Sequence, residues 1–258
     1  SWCSTAWLTL VLVGLVGQFA WTIENMYFNV YLYNTISTDP GYISAMVGWS
    51  AAAATLTTLL MGALSDRVGK RKLFICGGYL LWGLSTAAFG LVTVENAAKL
   101  FPAAAATAAA AVMIVVLDCV MTFFGSTAND AAFNAWITDT VPNEARGKAE
   151  SVLAILPLIS MLVIFGLFDG MTQRGEWQKF FGIFGGLVVL TGLVSVFLIP
   201  EPKLEGAVSA DARLRPAAVG GEGESGAVPL LRGLLPVLCS GTGLLPVSHY
   251  LYAELSAL

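Results

Sequence analysis

Long apolar stretches alternate with short polar segments along the chain, and this pattern predicts transmembrane helices. A spanning helix needs about 20 mainly apolar residues at a rise of about 1.5 Å per residue. The predicted fold class is an all-α membrane protein, because six stretches meet this requirement. They run from about Thr5 to Tyr33, Ile43 to Leu64, Leu73 to Val94, Pro102 to Phe124 with a polar helical continuation toward Thr138, Ala149 to Phe168, and Phe180 to Ile199.

Composition supports a membrane protein in contact with a lipid bilayer and argues against other classes. Hydrophobic residues make up 57% of the 258 residues and charged residues 12%, whereas soluble domains carry about 25% charged residues. The 13 basic and 17 acidic residues do not favour a nucleic-acid binder. The four cysteines are far apart and His249 is the only histidine, so we expect no disulfide framework, metal site, cofactor or enzymatic activity.

Lys and Arg residues are divided unevenly between the two sets of loops, which predicts the orientation. Cytoplasmic loops of membrane proteins carry an excess of these residues. The loops opposite the basic set contain three: Lys99, Arg174 and Lys179. We therefore expect a cell-membrane protein in which both ends of the six-span unit face the cytoplasm. The seven residues of the basic set follow the second, fourth and sixth spans: Arg67, Lys70, Arg71, Lys72, Arg146, Lys148 and Lys203.

Small residues and one proline within the spans predict features of helix packing. Gly166 and Gly170 are four residues apart, as are Gly182 and Gly186. Such pairs place two small residues on one helix face and let backbones approach closely in lipid. Pro157 lies in the middle of the fifth span, where it removes one hydrogen bond and predicts a kink.

The loop between the second and third spans carries the most informative motif, which runs from Gly62 to Lys72 as Gly-Ala-Leu-Ser-Asp-Arg-Val-Gly-Lys-Arg-Lys. Gly62 would allow close helix approach, and Gly69 permits a tight turn. Asp66 can accept hydrogen bonds at the start of the next helix or pair with a base. An ordinary basic loop would account for the positive charges but not for the whole pattern.

A second motif, Asp-Thr-Val-Pro-Asn-Glu-Ala-Arg-Gly-Lys, covers Asp139 to Lys148 just before the fifth span. With the first motif, it makes the sequence resemble the major facilitator superfamily over about residues 5–200. The resemblance implies the N-terminal six-helix half of a twelve-span transporter. It also implies a cytoplasmic gating motif, in which Asp66, Arg67 and Arg146 join a charge network that steadies the outward-facing state. The residues matching this motif are Gly62, Asp66, Arg67, Gly69, Arg71, Lys72, Arg146 and Gly147.

Within the superfamily, the sequence is most similar to the glycoside–pentoside–hexuronide:cation symporters of the melibiose-permease type. The segment 69–72 and the aromatic residues Tyr27, Tyr31 and Tyr33 carry this likeness. The family's two helix-two aspartates are replaced by Ala54 and Thr58, so its sodium site is not carried over. The resemblance implies alternating-access symport of a sugar or glycoside, with proton coupling or no coupling more expected than sodium coupling.

Two polar stripes, one on the first span and one on the fourth, are the candidate substrate and proton pathway. Carboxylates within spans are costly and usually face a cavity. Trp21 would stack on a sugar ring, while Glu24, Asn25 and Asp118 would bind hydroxyls or carry a proton. Hydrogen bonding between helices without any ligand is the alternative. We expect Asp130 to be structural and Asp169 to be solvated. The candidate pathway residues are Trp21, Glu24, Asn25, Asn29, Asp118, Thr122 and Asn129.

Composition changes after residue 200, which divides the chain into three segments: the six-span unit 1–200, a cytoplasmic linker 201–227 that we expect to be disordered, and an irregular apolar tail 228–258. The tail contains three prolines and does not resemble the family's seventh helix. We therefore expect a truncated transporter with an aberrant tail, which would need a second transporter half or a homodimer. The alternative function is a non-transporting membrane protein, either an interaction partner or an inactive fragment.

Overall fold

Six long helices form the part of the chain that the structure, a computed structural model, describes, namely residues 4–199. This confirms the six predicted spans and the all-α fold class, and no strand occurs within those residues. The predicted linker and tail lie outside them. We number the spanning helices in chain order: α1 Thr5–Ile36, α2 Pro40–Val68, α3 Arg71–Phe89, α4 Ala103–Thr140, α5 Asn143–Gln173 and α6 Trp177–Leu198.

Capping residues explain where α2 begins and ends. Asp39 precedes the helix, and its side chain accepts a hydrogen bond of 2.8 Å from the Gly41 amide, while Pro40 occupies the first turn, where its missing N–H costs nothing. Gly69 ends the helix with φ of +69° and donates to the Ser65 carbonyl. The predicted tight turn at Gly69 is thus confirmed, because this left-handed conformation favours glycine.

The third and fourth helices differ from the predicted spans in length. We predicted that the third span continues to Val94, but α3 ends at Phe89. A short separate helix, Val94–Ala98, follows and is capped by the Thr93 hydroxyl. The polar continuation of the fourth span is confirmed, because α4 extends without interruption to Thr140.

Close backbone contact between α3 and α6 depends on glycines other than those predicted. A Cβ added to Gly83 would lie 2.6 Å from the Gly185 carbonyl oxygen, and the reverse contact is equally short. By contrast, a Cβ added to Gly62, Gly166, Gly182 or Gly186 would meet nothing within 4 Å, and one added to Gly170 would meet only the Arg174 side chain. No helix among residues 4–199 packs closely against these glycines, so their packing role stays a prediction. Four-residue spacing alone does not say which helix face meets a neighbour.

Aromatic rings pack α1 against α3 and α6. Phe28 stacks on Phe89 with ring centroids 3.6 Å apart, and Phe181 contacts both rings edge-on or tilted. The Tyr31 hydroxyl donates to the Val92 carbonyl at 2.7 Å. This cluster fixes the half of α1 that follows Glu24.

Helices α2 and α5 are the least buried of the six, whereas α1 and α3 are the most buried. Pro157 lies inside α5, and the helix continues beyond it. Three helices contain π-helical turns, at Ile23–Phe28 and Leu32–Ile36 in α1, Ser126–Phe133 in α4 and Ile164–Phe168 in α5. Such turns are often found at functional sites, and the segments Ile23–Phe28 and Ser126–Phe133 contain predicted pathway residues.

Candidate transport site

Glu24 lies at the centre of a hydrogen-bonded cluster that joins three helices. The Thr122 hydroxyl, on α4, lies 2.7 Å from Glu24 Oε1, and the Ser50 hydroxyl, on α2, lies 3.1 Å from the same oxygen. The two hydroxyls are 2.7 Å apart. Only 7% of Glu24 and 1% of Thr122 are exposed. The structure therefore brings the polar stripes of α1 and α4 together and adds a residue of α2.

A second carboxylate, Asp118, belongs to the same cluster. It lies one turn before Thr122 on the same face of α4, it is 2% exposed, and its charge interacts with that of Glu24. Asp118 Oδ1 and Glu24 Oε2 are buried and have no hydrogen-bond partner in the part of the chain that the structure describes. Each carboxylate thus retains one acceptor atom for a proton or a ligand.

Trp21, Asn25 and Asn29 of α1 are less buried than Glu24 and make no described hydrogen bond to α2 or α4. Trp21 is half-buried and packs on Trp82 of α3, with ring centroids 5.1 Å apart. Asn25 is exposed, and its amide donates to the Trp21 carbonyl. Asn29 donates in the same way to the Asn25 carbonyl at 3.0 Å. Trp21 therefore contacts a neighbouring ring at a tilt of 57°, while both asparagine amides bond to their own helix.

Asn129 takes part in contacts between helices. Its Oδ1 accepts a hydrogen bond of 3.1 Å from the Tyr79 hydroxyl of α3, which also lies 2.8 Å from the Val13 carbonyl of α1. A Cβ at Gly17 would lie 2.7 Å from Asn129 Oδ1. These contacts match the alternative considered for the polar stripes, hydrogen bonding between helices.

Asp169, which we expected to be solvated, is partly exposed and also makes hydrogen bonds. Its Oδ1 accepts a hydrogen bond of 3.1 Å from the Tyr27 hydroxyl, and its Oδ2 accepts one of 2.6 Å from Gln173. Tyr27 and Asp169 border a cavity of about 260 Å³ between α1 and α5, which Trp177 also lines. Asp169 thus ties α5 to α1 across this cavity.

Arg71 is the centre of the ion pairs at the α2–α3 loop. It pairs with Asp66 and, at 3.1 Å, with Asp139 at the end of α4, and it is only 8% exposed. The prediction that Asp66 pairs with a base is thereby confirmed. Arg67 is exposed, and Arg146 donates to the Thr138 carbonyl at 3.2 Å. Arg71 therefore joins the two sequence motifs, and the gating role of this set stays a prediction.

Ser50, Trp82 and Tyr79 are site residues that the sequence analysis missed. Ser50 lies ten residues after the start of α2 and Glu24 lies twelve before the end of α1. At about 1.5 Å per residue, both are roughly 15–18 Å from the same side of the bundle. Matching depths on consecutive antiparallel helices would have been a signal for this pair. Nothing comparable in the sequence identifies Trp82.

No group of three or more His, Cys, Asp or Glu side chains that could hold a metal ion occurs among residues 4–199. The cluster around Glu24 contains two carboxylates and two hydroxyls. This donor set can hold and release a proton, accept hydrogen bonds from sugar hydroxyls, or bind a cationic group.

Comparisons with known proteins identify a family. The family model of the Major Facilitator Superfamily matches residues 10–253. The match therefore extends beyond residues 5–200, the region over which the sequence motifs indicated the resemblance. Sugar transport protein MST4 of Oryza sativa subsp. japonica is 29% identical over 201 residues, covering 75% of this chain and 37% of that protein. Sugar transport protein MST7 of the same plant is 29% identical over 179 residues, covering 66% and 31% respectively.

A bacterial relative covers a shorter region. The anhydromuropeptide permease of Escherichia coli strain K12 is 28% identical over 122 residues, which cover 47% of this chain and 23% of the permease. The matches to these relatives thus span between 23% and 37% of their length. No solved structure matches the chain significantly. The sugar transport proteins agree with the sugar-type resemblance, while the narrower likeness to glycoside–pentoside–hexuronide symporters stays a prediction.

Proposed function

This chain belongs to the Major Facilitator Superfamily, and on that premise we propose that it forms part of a secondary transporter that moves a sugar or glycoside together with protons. The observation that carries the proposal is the buried cluster of Glu24, Ser50 and Thr122. A carboxylate within a membrane span is costly and generally marks a substrate or proton pathway. The similarity to two plant sugar transport proteins supports a sugar as the solute.

Each part of the cluster has a role in this proposal. Glu24 and Asp118 carry the proton, because each has a buried oxygen without a partner among the described residues. Ser50 and Thr122 orient Glu24 by donating to its other oxygen. Trp21 provides a half-buried ring and Asn25 an exposed amide beside the cluster, which suit the apolar face and hydroxyls of a sugar.

Alternating access requires two helical bundles that rock around a site near the middle of the membrane. Helices α2 and α5 are little buried within this six-helix bundle and would provide the surface for the second one. The partner would be another transporter half or a second copy of the chain. Lys and Arg in the loops after α2 and α4 support a cell-membrane orientation in which both ends of the bundle face the cytoplasm.

The direct test is uptake of radiolabelled sugars into proteoliposomes that contain the purified full chain. We expect accumulation when a proton gradient is imposed and loss of accumulation when a protonophore is added. Glu24→Gln should abolish gradient-driven accumulation. Glu95→Gln is the matched control, because Glu95 lies on a short helix outside the spans and its side chain is 84% exposed.

Two results would contradict the proposal. Sugar accumulation that is the same with and without the gradient would exclude proton coupling. No uptake or binding of any sugar by folded protein would favour the alternative, a membrane protein that does not transport.

A further inference from the structure

The charge balance of the buried cluster restricts the kind of substrate that it can bind. Glu24 and Asp118 are 7% and 2% exposed, and Asp130 is a third acidic residue whose charge reaches Glu24. Every Lys and Arg among residues 4–199 lies in a loop or in the first or last two turns of a helix. None of the described ion pairs involves Glu24 or Asp118.

Buried carboxylates without a basic partner require positive charge from elsewhere. An unpaired charge within a low-dielectric interior is strongly unfavourable. One proton can neutralise one carboxylate, but two carboxylates whose charges repel leave a second acceptor. The unpartnered atoms are Glu24 Oε2 and Asp118 Oδ1, and both are buried in the same cluster. An ammonium group would satisfy them with charge-assisted hydrogen bonds, which are stronger than neutral ones.

The neighbouring groups suit a sugar ring attached to that ammonium. Trp21 is half-buried three residues before Glu24, and its indole packs on that of Trp82. Indole faces attract cations within about 6 Å and also cover the apolar face of a sugar ring. Asn25 is exposed next to Glu24, where its amide can reach hydroxyl groups.

We propose that the transported solute is an amine-bearing sugar, whose ammonium group binds between the buried carboxylates of Glu24 and Asp118. This inference rests on the proposed function, since it specifies the substrate class of the same site. A neutral sugar would leave one of the two carboxylates without compensation unless both were protonated. The ammonium thus provides selectivity, and the hydroxyl donors Ser50 and Thr122 set the orientation of Glu24.

The test compares three probes of similar shape: glucosamine, glucose and N-acetylglucosamine. Their binding is measured by isothermal titration to the full chain in nanodiscs at pH 6.5, where the amine is protonated. We expect glucosamine to bind at least tenfold more tightly than the two neutral sugars. Glu24→Gln and Asp118→Asn should reduce this preference to less than threefold, whereas Glu95→Gln should keep it.

Each outcome decides a different question. Equal affinity for all three sugars would overturn the amine inference and leave sugar transport standing. If none of the sugars binds to folded protein, both this inference and the proposed function fail. Circular dichroism and size-exclusion profiles of each variant establish that it is folded.

Discussion

The Thr122 hydroxyl lies 2.7 Å from Glu24 Oε1 and joins residues that are 98 positions apart in the chain. Glu24 belongs to a π-helical turn of α1, and Thr122 belongs to α4. The bond links the two helices that carry the polar stripes. Its loss should therefore affect the candidate transport site directly, whereas other contacts hold these helices in place.

Removing the hydroxyls around Glu24 should impair transport more than folding. Ser50→Ala and Thr122→Val each delete a donor to Oε1. A hydrogen bond to a charged group contributes about 1.5–3 kcal/mol, so we expect gradient-driven uptake to fall roughly tenfold or more. Thr55→Ala is the control, because Thr55 lies on α2 like Ser50 and its hydroxyl bonds only to the Ala51 carbonyl. Similar uptake by all three variants would contradict an orienting role.

Enlarging Gly185 should destabilise the bundle. A leucine there would meet the Gly83 backbone, since even a Cβ would lie 2.6 Å from the carbonyl oxygen. Overpacking costs about 1–3 kcal/mol, measurable as a lower melting temperature in detergent. Gly186→Leu is the neighbouring control, with nothing within 4 Å of its Cβ position. Equal effects of the two substitutions would mean that α3 and α6 do not meet at Gly185.

Arg71→Gln should loosen the connection between the α2–α3 loop and α4. The substitution breaks the ion pairs with Asp66 and Asp139, and hydrogen bonds to charged groups contribute about 1.5–3 kcal/mol. Because Asp66 is half exposed, we expect a loss near the lower limit in the free energy of unfolding, measured by denaturant titration in micelles. Arg67→Gln removes the same charge from an exposed position. An equal or larger effect of Arg67→Gln would show that the charge, and not the paired geometry, matters.

Tyr27→Phe should weaken the attachment of α5 to α1. It removes the donor to Asp169 Oδ1 but keeps the aromatic contacts with Phe165 and Phe180. A hydrogen bond to a charged group contributes about 1.5–3 kcal/mol, and we expect faster hydrogen exchange in the last turns of α5. Tyr33→Phe serves as control, because Tyr33 is 49% exposed. Unchanged exchange in Tyr27→Phe would mean that the bonds from Thr172 and Gln173, both within α5, are sufficient to hold Asp169.

The predicted spans show which parts of the fold follow from sequence. Length and apolarity identified six helices, and Gly69 marked the end of α2, because these features act locally. The end of α3 was misplaced, since Gly90 to Thr93 are apolar or small enough to continue a span. The glycines that bring α3 and α6 together were not predicted, because Gly83 and Gly185 become neighbours only after the two helices have packed.

For the candidate site, apolar periodicity alone showed that Glu24 and Asp118 are carboxylates inside apolar helices, and hence that they need partners. Helical spacing placed Asp118 and Thr122 on one face of α4. The packed bundle was needed to show that Glu24 meets Thr122 and Ser50, that Trp82 contacts Trp21, and that Arg71 connects the two motifs. The physical reason is that periodicity fixes directions around one helix axis, whereas rotation and depth relative to other helices depend on how all six pack.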